Sequence, residues 1–232
     1  MRTLKSEEKL FRFLEKSSYR DYLFDIDGTL IDSEDTHYAI HCRIIGEHGH
    51  TLTRDFYDRE FRGHQDMEIY TRAKEIYGLP ESAAELVERK TQLFLDEIKA
   101  GRILRFPYAD RALAFAREKA EKTACISSEP VVVIDAIREA FGWPFDEVYS
   151  TLTQNTDKAH IYAALKEPEQ ALLFEDSAYA VKAAAACGIA SLLYDGEETW
   201  TFRTPGDFRR KKTRQEGERR TIWKQDYPNG KK

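Results

Sequence analysis

Cysteine is scarce: Cys42, Cys125 and Cys187 are the only three in 232 residues, widely spaced and with no CxxC pair. That argues against a disulfide framework or a cysteine zinc site and fits free thiols, small and buried, in a reducing compartment. No apolar run is long enough to span a bilayer. The first twenty residues lack the apolar core of a secretory signal, and Glu7, Glu8 and Glu15 do not suit a transit peptide, so a cytoplasmic protein is expected. Internal repeats are absent as well. Charge is unevenly spread. The net charge is -5, yet from Arg203 to Lys232 eleven Lys or Arg face four Asp or Glu, so an acidic body precedes a basic tail.

What is present begins with Tyr22-Leu23-Phe24-Asp25-Ile26-Asp27-Gly28-Thr29-Leu30. An apolar run with aromatics ends in two carboxylates spaced by two, then a glycine and a hydroxyl, as when a buried strand opens into a polar turn. Strand side chains alternate faces, so Asp25 and Asp27 are expected to lean to one side at the strand's exit. Two adjacent carboxylates repel, and a divalent cation with phosphate oxygens between them would relieve that cost.

In chain order, Ser6-Glu7-Glu8 offers a helix cap with acids in the first turn, and Leu10, Phe11 and Leu14 give an apolar edge up to about Lys16. The first strand is Tyr22 to Ile26. From Asp32 to about Arg105 the pattern turns helical: His37, Tyr38, His41, Ile44 and Ile45, then Phe56 to Phe61, Met67 to Tyr77 and Ala83 to Ile98, with glycine breaks between. A small helical bundle is therefore inserted after the first strand. Helices are then expected over Ala109 to Ala120, Val131 to Phe141, Thr156 to Leu165 and Ala178 to Cys187. They alternate with strands at Thr123 to Ile126, Val148-Tyr149, Ala171 to Phe174 and Ala190 to Tyr194. The helix from Val131 is read from Pro130 and Gly142 at its ends, against the strand propensity of Val131-Val132-Val133-Ile134. Alternation of this kind means a parallel sheet with right-handed crossovers, whose sites lie at the carboxyl ends of the strands. After Asp195 no sustained apolar period is found.

Asp25-Ile26-Asp27-Gly28-Thr29-Leu30-Ile31-Asp32-Ser33 resembles the first signature of the haloacid dehalogenase superfamily, in the form its Mg2+-dependent phosphatases and phosphomutases use. Ser127, after an apolar strand, matches the second motif, and Lys158 the third, with Ala159 where proline is frequent. Glu175-Asp176-Ser177 before a small-residue helix resembles the fourth, although Ala180 and Cys187 stand where glycine and alanine are usual. The resemblance implies an α/β fold: a Rossmann-like parallel sheet core flanked by helices, with an inserted all-helical cap. The expected division is a leading helix at 1–18, the core at 19–34 and 106–195, the cap at 35–105 and a basic, flexible tail at 196–232.

The same resemblance implies a Mg2+-dependent phosphomonoester phosphatase similar to phosphoglycolate phosphatases, acting on a small phosphorylated metabolite through an aspartyl-phosphate. Asp25 is then the nucleophile and Asp27 the general acid and base. Asp25, Asp176 and the backbone carbonyl of Asp27 would hold Mg2+, with Glu175 supporting. Gly28, Thr29, Ser127, Ser128 and Lys158 would bind the phosphate. In the cap loop Phe61-Arg62-Gly63-His64-Gln65, the residues Arg62, His64 and Gln65 are candidates for substrate contact; Arg62 also fits a solvated face, and His64 a helix cap. A sugar-phosphate mutase of the β-phosphoglucomutase type is the alternative. A second alternative is binding of nucleic acid or an anionic surface through residues 203–232, where Arg209-Arg210-Lys211-Lys212 and Arg219-Arg220 are interleaved with Phe208 and Trp223. A monomer is expected.

Overall fold

The chain's first regular element is a short strand, β1 (Arg2–Leu4), in a computed structural model that describes residues 2–208. Helix α1 (Glu7–Glu15) follows, started by the Ser6 side chain, which accepts from the Lys9 N–H, and buries Leu10, Phe11 and Leu14. The strand β2 (Asp21–Phe24) leads through a turn to β3 (Ile31–Asp32). Four helices come next: α2 (Glu34–Gly46), α3 (Arg54–Glu60), α4 (Asp66–Tyr77) and α5 (Ala83–Lys99). A reciprocal capping box between Ser82 and Glu85 starts α5. The chain leaves this bundle by β4 (Leu104–Arg105), antiparallel to β3, so a two-strand neck joins the insertion's entry to its exit.

The remaining elements alternate: α6 (Ala109–Lys119), β5 (Lys122–Ser127), α7 (Val131–Phe141), β6 (Glu147–Ser150), α8 (Lys158–Ala163), β7 (Ala171–Glu175), α9 (Ala178–Ala186), β8 (Ala190–Tyr194) and β9 (Trp200–Arg203). The sheet runs β1-β9-β8-β7-β2-β5-β6, with β8, β7, β2, β5 and β6 mutually parallel, β9 antiparallel to β8, and β1 at the edge antiparallel to β9. This is the expected α/β architecture with an inserted helical region. The central strand β2 is buried over Tyr22, Leu23 and Phe24, and Phe24 stacks on Phe174 of β7 at 4.7 Å between ring centroids. α7 forms despite its β-branched start, because Val133, Ile134 and Ile137 fall on one buried face and Gly142 closes it with φ 67°.

Two features depart from the sequence expectation. β2 ends at Phe24, so Asp25, Ile26 and Asp27 lie in the turn, where the N–H groups of Thr29, Leu30 and Ile31 all donate to the Ile26 carbonyl. The alternation of a strand therefore does not govern Asp25 and Asp27, and their carboxylates take different partners. Secondly, Trp200–Arg203 is a strand within the stretch expected to be tail. Its pairing with β1 and β8, and the burial of Trp200 against Tyr194 and Tyr108, are long-range effects that no local period announces. The basic clusters from Arg209 onward lie outside the described residues. Among the described residues, no helix is long and apolar enough to cross a membrane.

Candidate active site

The carboxyl ends of β2, β5 and β7 deliver Asp25, Ser127 and Glu175 to one edge of the sheet, and the start of α8 brings Lys158 to them. The Lys158 Nζ donates to Asp25 Oδ1 at 2.7 Å and to Glu175 Oε1 at 2.9 Å. A lysine in a helix's first turn opposes the helix dipole, and these two carboxylates are what hold it. Burial alone would lower the Lys158 pKa, but Asp25 and Glu175 keep it well above the ordinary value, so the ammonium is charged.

Asp25, Glu175 and Asp176 each place an oxygen within 4.8 Å of the others. Against three carboxylates there is one ammonium. Burial first, and Asp25 next, push Glu175 well above the usual carboxylate range; the same two causes push Asp176, which solvent still reaches, up to about 7. Glu175 Oε2 is buried and has no hydrogen-bond partner. Excess negative charge and an unsatisfied oxygen fit a hard divalent cation such as Mg2+, which takes oxygen ligands. Gly28 adopts φ +73°, and a Cβ there would collide with the Asp176 carboxylate, so glycine is what lets the turn approach it. Thr29 is fully buried with its Oγ1 unpartnered, and its carbonyl accepts from the Tyr108 hydroxyl. Ser127 is buried, and its Oγ accepts from the Glu129 N–H at 3.0 Å, leaving the hydroxyl proton to donate elsewhere.

Asp27 belongs to a second group. Its Oδ1 accepts from Ser33 Oγ at 2.7 Å and lies 3.2 Å from His37 Nε2. Burial would raise its pKa, but the His37 and Ser33 contacts hold it below the ordinary value. His37 also lies 4.0 Å from Glu129 Oε1, and Lys90 of α5 donates to Glu129 at 3.2 Å and pairs with Asp66 at 2.8 Å. These charges bridge the helical insertion and the sheet.

A cavity of about 350 Å3 opens beside this group, and Ser128, His64 and Gln65 line it together with Asp27, His37 and Lys90. His64 is exposed and lies 3.3 Å from Glu68. Gln65 is the N-cap of α4 but makes no side-chain cap bond. Arg62 is not part of the cavity lining; it is half exposed and pairs with Glu34 and Asp58. His37, Lys90 and Glu129 were not anticipated from the sequence. Lys90 did leave a signal, since it interrupts the stripe Leu86, Phe94, Ile98 that α5 buries, and a lysine in an apolar stripe needs a buried partner.

The family model of haloacid dehalogenase-like hydrolases matches residues 22–188. The chain is 27% identical over 195 residues to Protein CbbY of Cereibacter sphaeroides, covering 75% of this chain and 83% of that one. It is 26% identical over 190 residues to the phosphorylated carbohydrates phosphatase of Thermotoga maritima, covering 72% and 81%. Among solved structures, a CbbY variant from Rhodobacter sphaeroides in complex with xylulose-(1,5)bisphosphate shares the fold with a TM-score of 0.66 at 23% identity, covering 75% of this chain and 85% of that one.

Proposed function

Since the chain belongs to the haloacid dehalogenase-like hydrolases, we propose that it is a Mg2+-dependent phosphatase that hydrolyses a small phosphorylated metabolite through an aspartyl-phosphate on Asp25. The observation that carries this reading is Lys158 bridging Asp25 and Glu175 beside Asp176, at the end of the sheet where such folds place their chemistry. Residues 19–34 and 106–195 form the core in this reading, and 35–105 the cap.

Asp25 attacks phosphorus while the ester P–O bond breaks, and a carboxylate nucleophile divides one difficult displacement into two easier ones. Lys158 and the Ser127 hydroxyl bind the phosphoryl oxygens where charge develops. Asp27 gives its proton to the leaving oxygen. It rests as a carboxylate, and as the arriving phosphate's negative charge raises its pKa it takes up from solvent the proton that it then gives. Water then attacks the aspartyl-phosphate, Asp27 takes the water's proton, and phosphate leaves with Asp25 regenerated. Bound Mg2+, held by Asp25, Asp176 and the Asp27 carbonyl with Glu175 in support, would offset the repulsion between an anionic nucleophile and an anionic substrate.

Phosphate release from p-nitrophenyl phosphate, with Mg2+ and with chelator, tests the reading. Activity should require Mg2+ and fall by ~10³-fold or more in Asp25→Asn. Mg2+-independent turnover, or turnover that survives the substitution, would sink it. A sugar-phosphate mutase would use the same nucleophile and is told apart by dependence of turnover on a sugar bisphosphate.

A further inference from the structure

The cavity beside Asp27 carries a charge pattern that bears on the alcohol half of the substrate. Its carboxylates are Asp27, Glu34, Asp66 and Glu129, and Lys90 is the one permanently cationic residue among the described residues that line it. That ammonium is engaged, 2.8 Å from Asp66 and 3.2 Å from Glu129, with its side chain only 3% exposed. A protonated His37 would likewise be met by Asp27 and Glu129, at 3.2 Å and 4.0 Å. The nearby Arg62 faces Glu34 and Asp58. Each of these cations is thus matched by a carboxylate of the protein.

Glu129 is held at its side chain by Lys90, at 3.2 Å, and along its backbone as well. Its N–H donates to Ser127 Oγ and its carbonyl accepts from Ser150 Oγ at 2.7 Å, so its backbone is pinned from both sides two residues after Ser127. Its carboxylate lines the cavity beside Asp27. The rest of the wall is aromatic and aliphatic, with Tyr57, Phe61, Met67, Val87 and Leu152.

Resting on the phosphatase reading, we propose that the substrate is a phosphate monoester whose leaving alcohol carries no second anionic group, and is instead hydroxylated and uncharged or bears an amine. A second phosphate or a carboxylate would enter a cavity whose cations are already paired, and would have to displace Glu129 or Asp66 from Lys90. Discrimination here comes from repulsion as much as from attraction. A bisphosphate, or an acid such as 2-phosphoglycolate, is therefore disfavoured.

The test is a series of small esters whose leaving alcohols are anionic, neutral and cationic: 2-phosphoglycolate, glycerol 3-phosphate and phosphoethanolamine, with p-nitrophenyl phosphate as reference, assayed with Mg2+. We expect kcat/KM for the uncharged or the amine-bearing ester to exceed that for 2-phosphoglycolate by at least ~10-fold. Glu129→Gln, which releases Lys90 from one partner, should narrow that ratio by at least ~5-fold, chiefly through KM for the acid. The ratio is taken within one preparation, so partial unfolding of the variant cancels. Asp25-dependent hydrolysis in which 2-phosphoglycolate is the preferred ester, or a ratio unmoved by Glu129→Gln, overturns this inference while leaving the phosphatase reading intact. No turnover of any ester overturns both.

Discussion

At His41, burial and a neighbouring carboxylate act against each other, and burial wins. The ring is 1% exposed, its Nδ1 lies 2.9 Å from the Tyr70 hydroxyl, and its Nε2 lies 3.8 Å from Asp66. Desolvation pulls its pKa from 6.5 to about 3; Asp66 opposes this, while Lys90 and His37 add to it. Between those two values the unfolded chain holds a proton at this site that the folded chain lacks. Stability should therefore fall as the pH drops from about 6.5 towards 3, by up to ~1.4 kcal/mol per pH unit from this residue. Urea midpoints measured across that range for wild type and His41→Gln check this: the variant's slope should be shallower, and equal slopes would refute the assignment. Residue identity alone left His41 as a member of a helical apolar stripe. Its neutrality comes from burial, which Asp66 of α4 only partly offsets, and both are tertiary effects. The same holds for Asp27, whose place in the motif was legible while its contacts with Ser33 and His37 were not.

Among the elements, the helices of the insertion were legible because each buries a face at regular helical spacing, and α7 shows that such a pattern outweighs the strand preference of four β-branched residues. β9 shows the opposite case. Four residues have no period to speak of, and the strand exists because β1 and β8 satisfy its backbone on both sides. Trp200 is its anchor: 1% exposed, stacked on Tyr194 at 5.2 Å and edge-on to Tyr108 at 4.9 Å. Trp200→Ala should cost about 3–5 kcal/mol in chemical unfolding, and Trp200→Phe distinctly less. A loss below ~1 kcal/mol for the alanine variant would mean that the edge strand contributes little to the core. Tyr108 also donates to the Thr29 carbonyl, so this aromatic cluster supports the turn that carries Asp25 and Asp27.

For the whole molecule, the strand ends and the start of α8 supply Asp25, Ser127, Lys158, Glu175 and Asp176, and the insertion supplies His37, Lys90 and Asp66, with the β3–β4 neck between them. A cation that binds only the folded arrangement of three carboxylates stabilises the fold by mass action. Free Mg2+ at 100 times its dissociation constant should add ~2.7 kcal/mol, visible as a raised melting temperature that chelator reverses. Asp176→Asn should abolish most of that increment; a full Mg2+ shift in the variant would remove Asp176 from the cation's ligands.

The alternation of strands and helices, the place of the helical insertion and the turn after β2 are legible in the sequence, because periodicity, capping and turn chemistry act over a few neighbouring residues. Long-range packing is what brings Lys90 to Glu129, 39 residues apart, and Lys158 to Asp25, 133 residues apart, and what makes Trp200–Arg203 a strand. Such contacts form when distant segments fold back on one another, and the buried charges then take whichever partners that packing brings within hydrogen-bond reach.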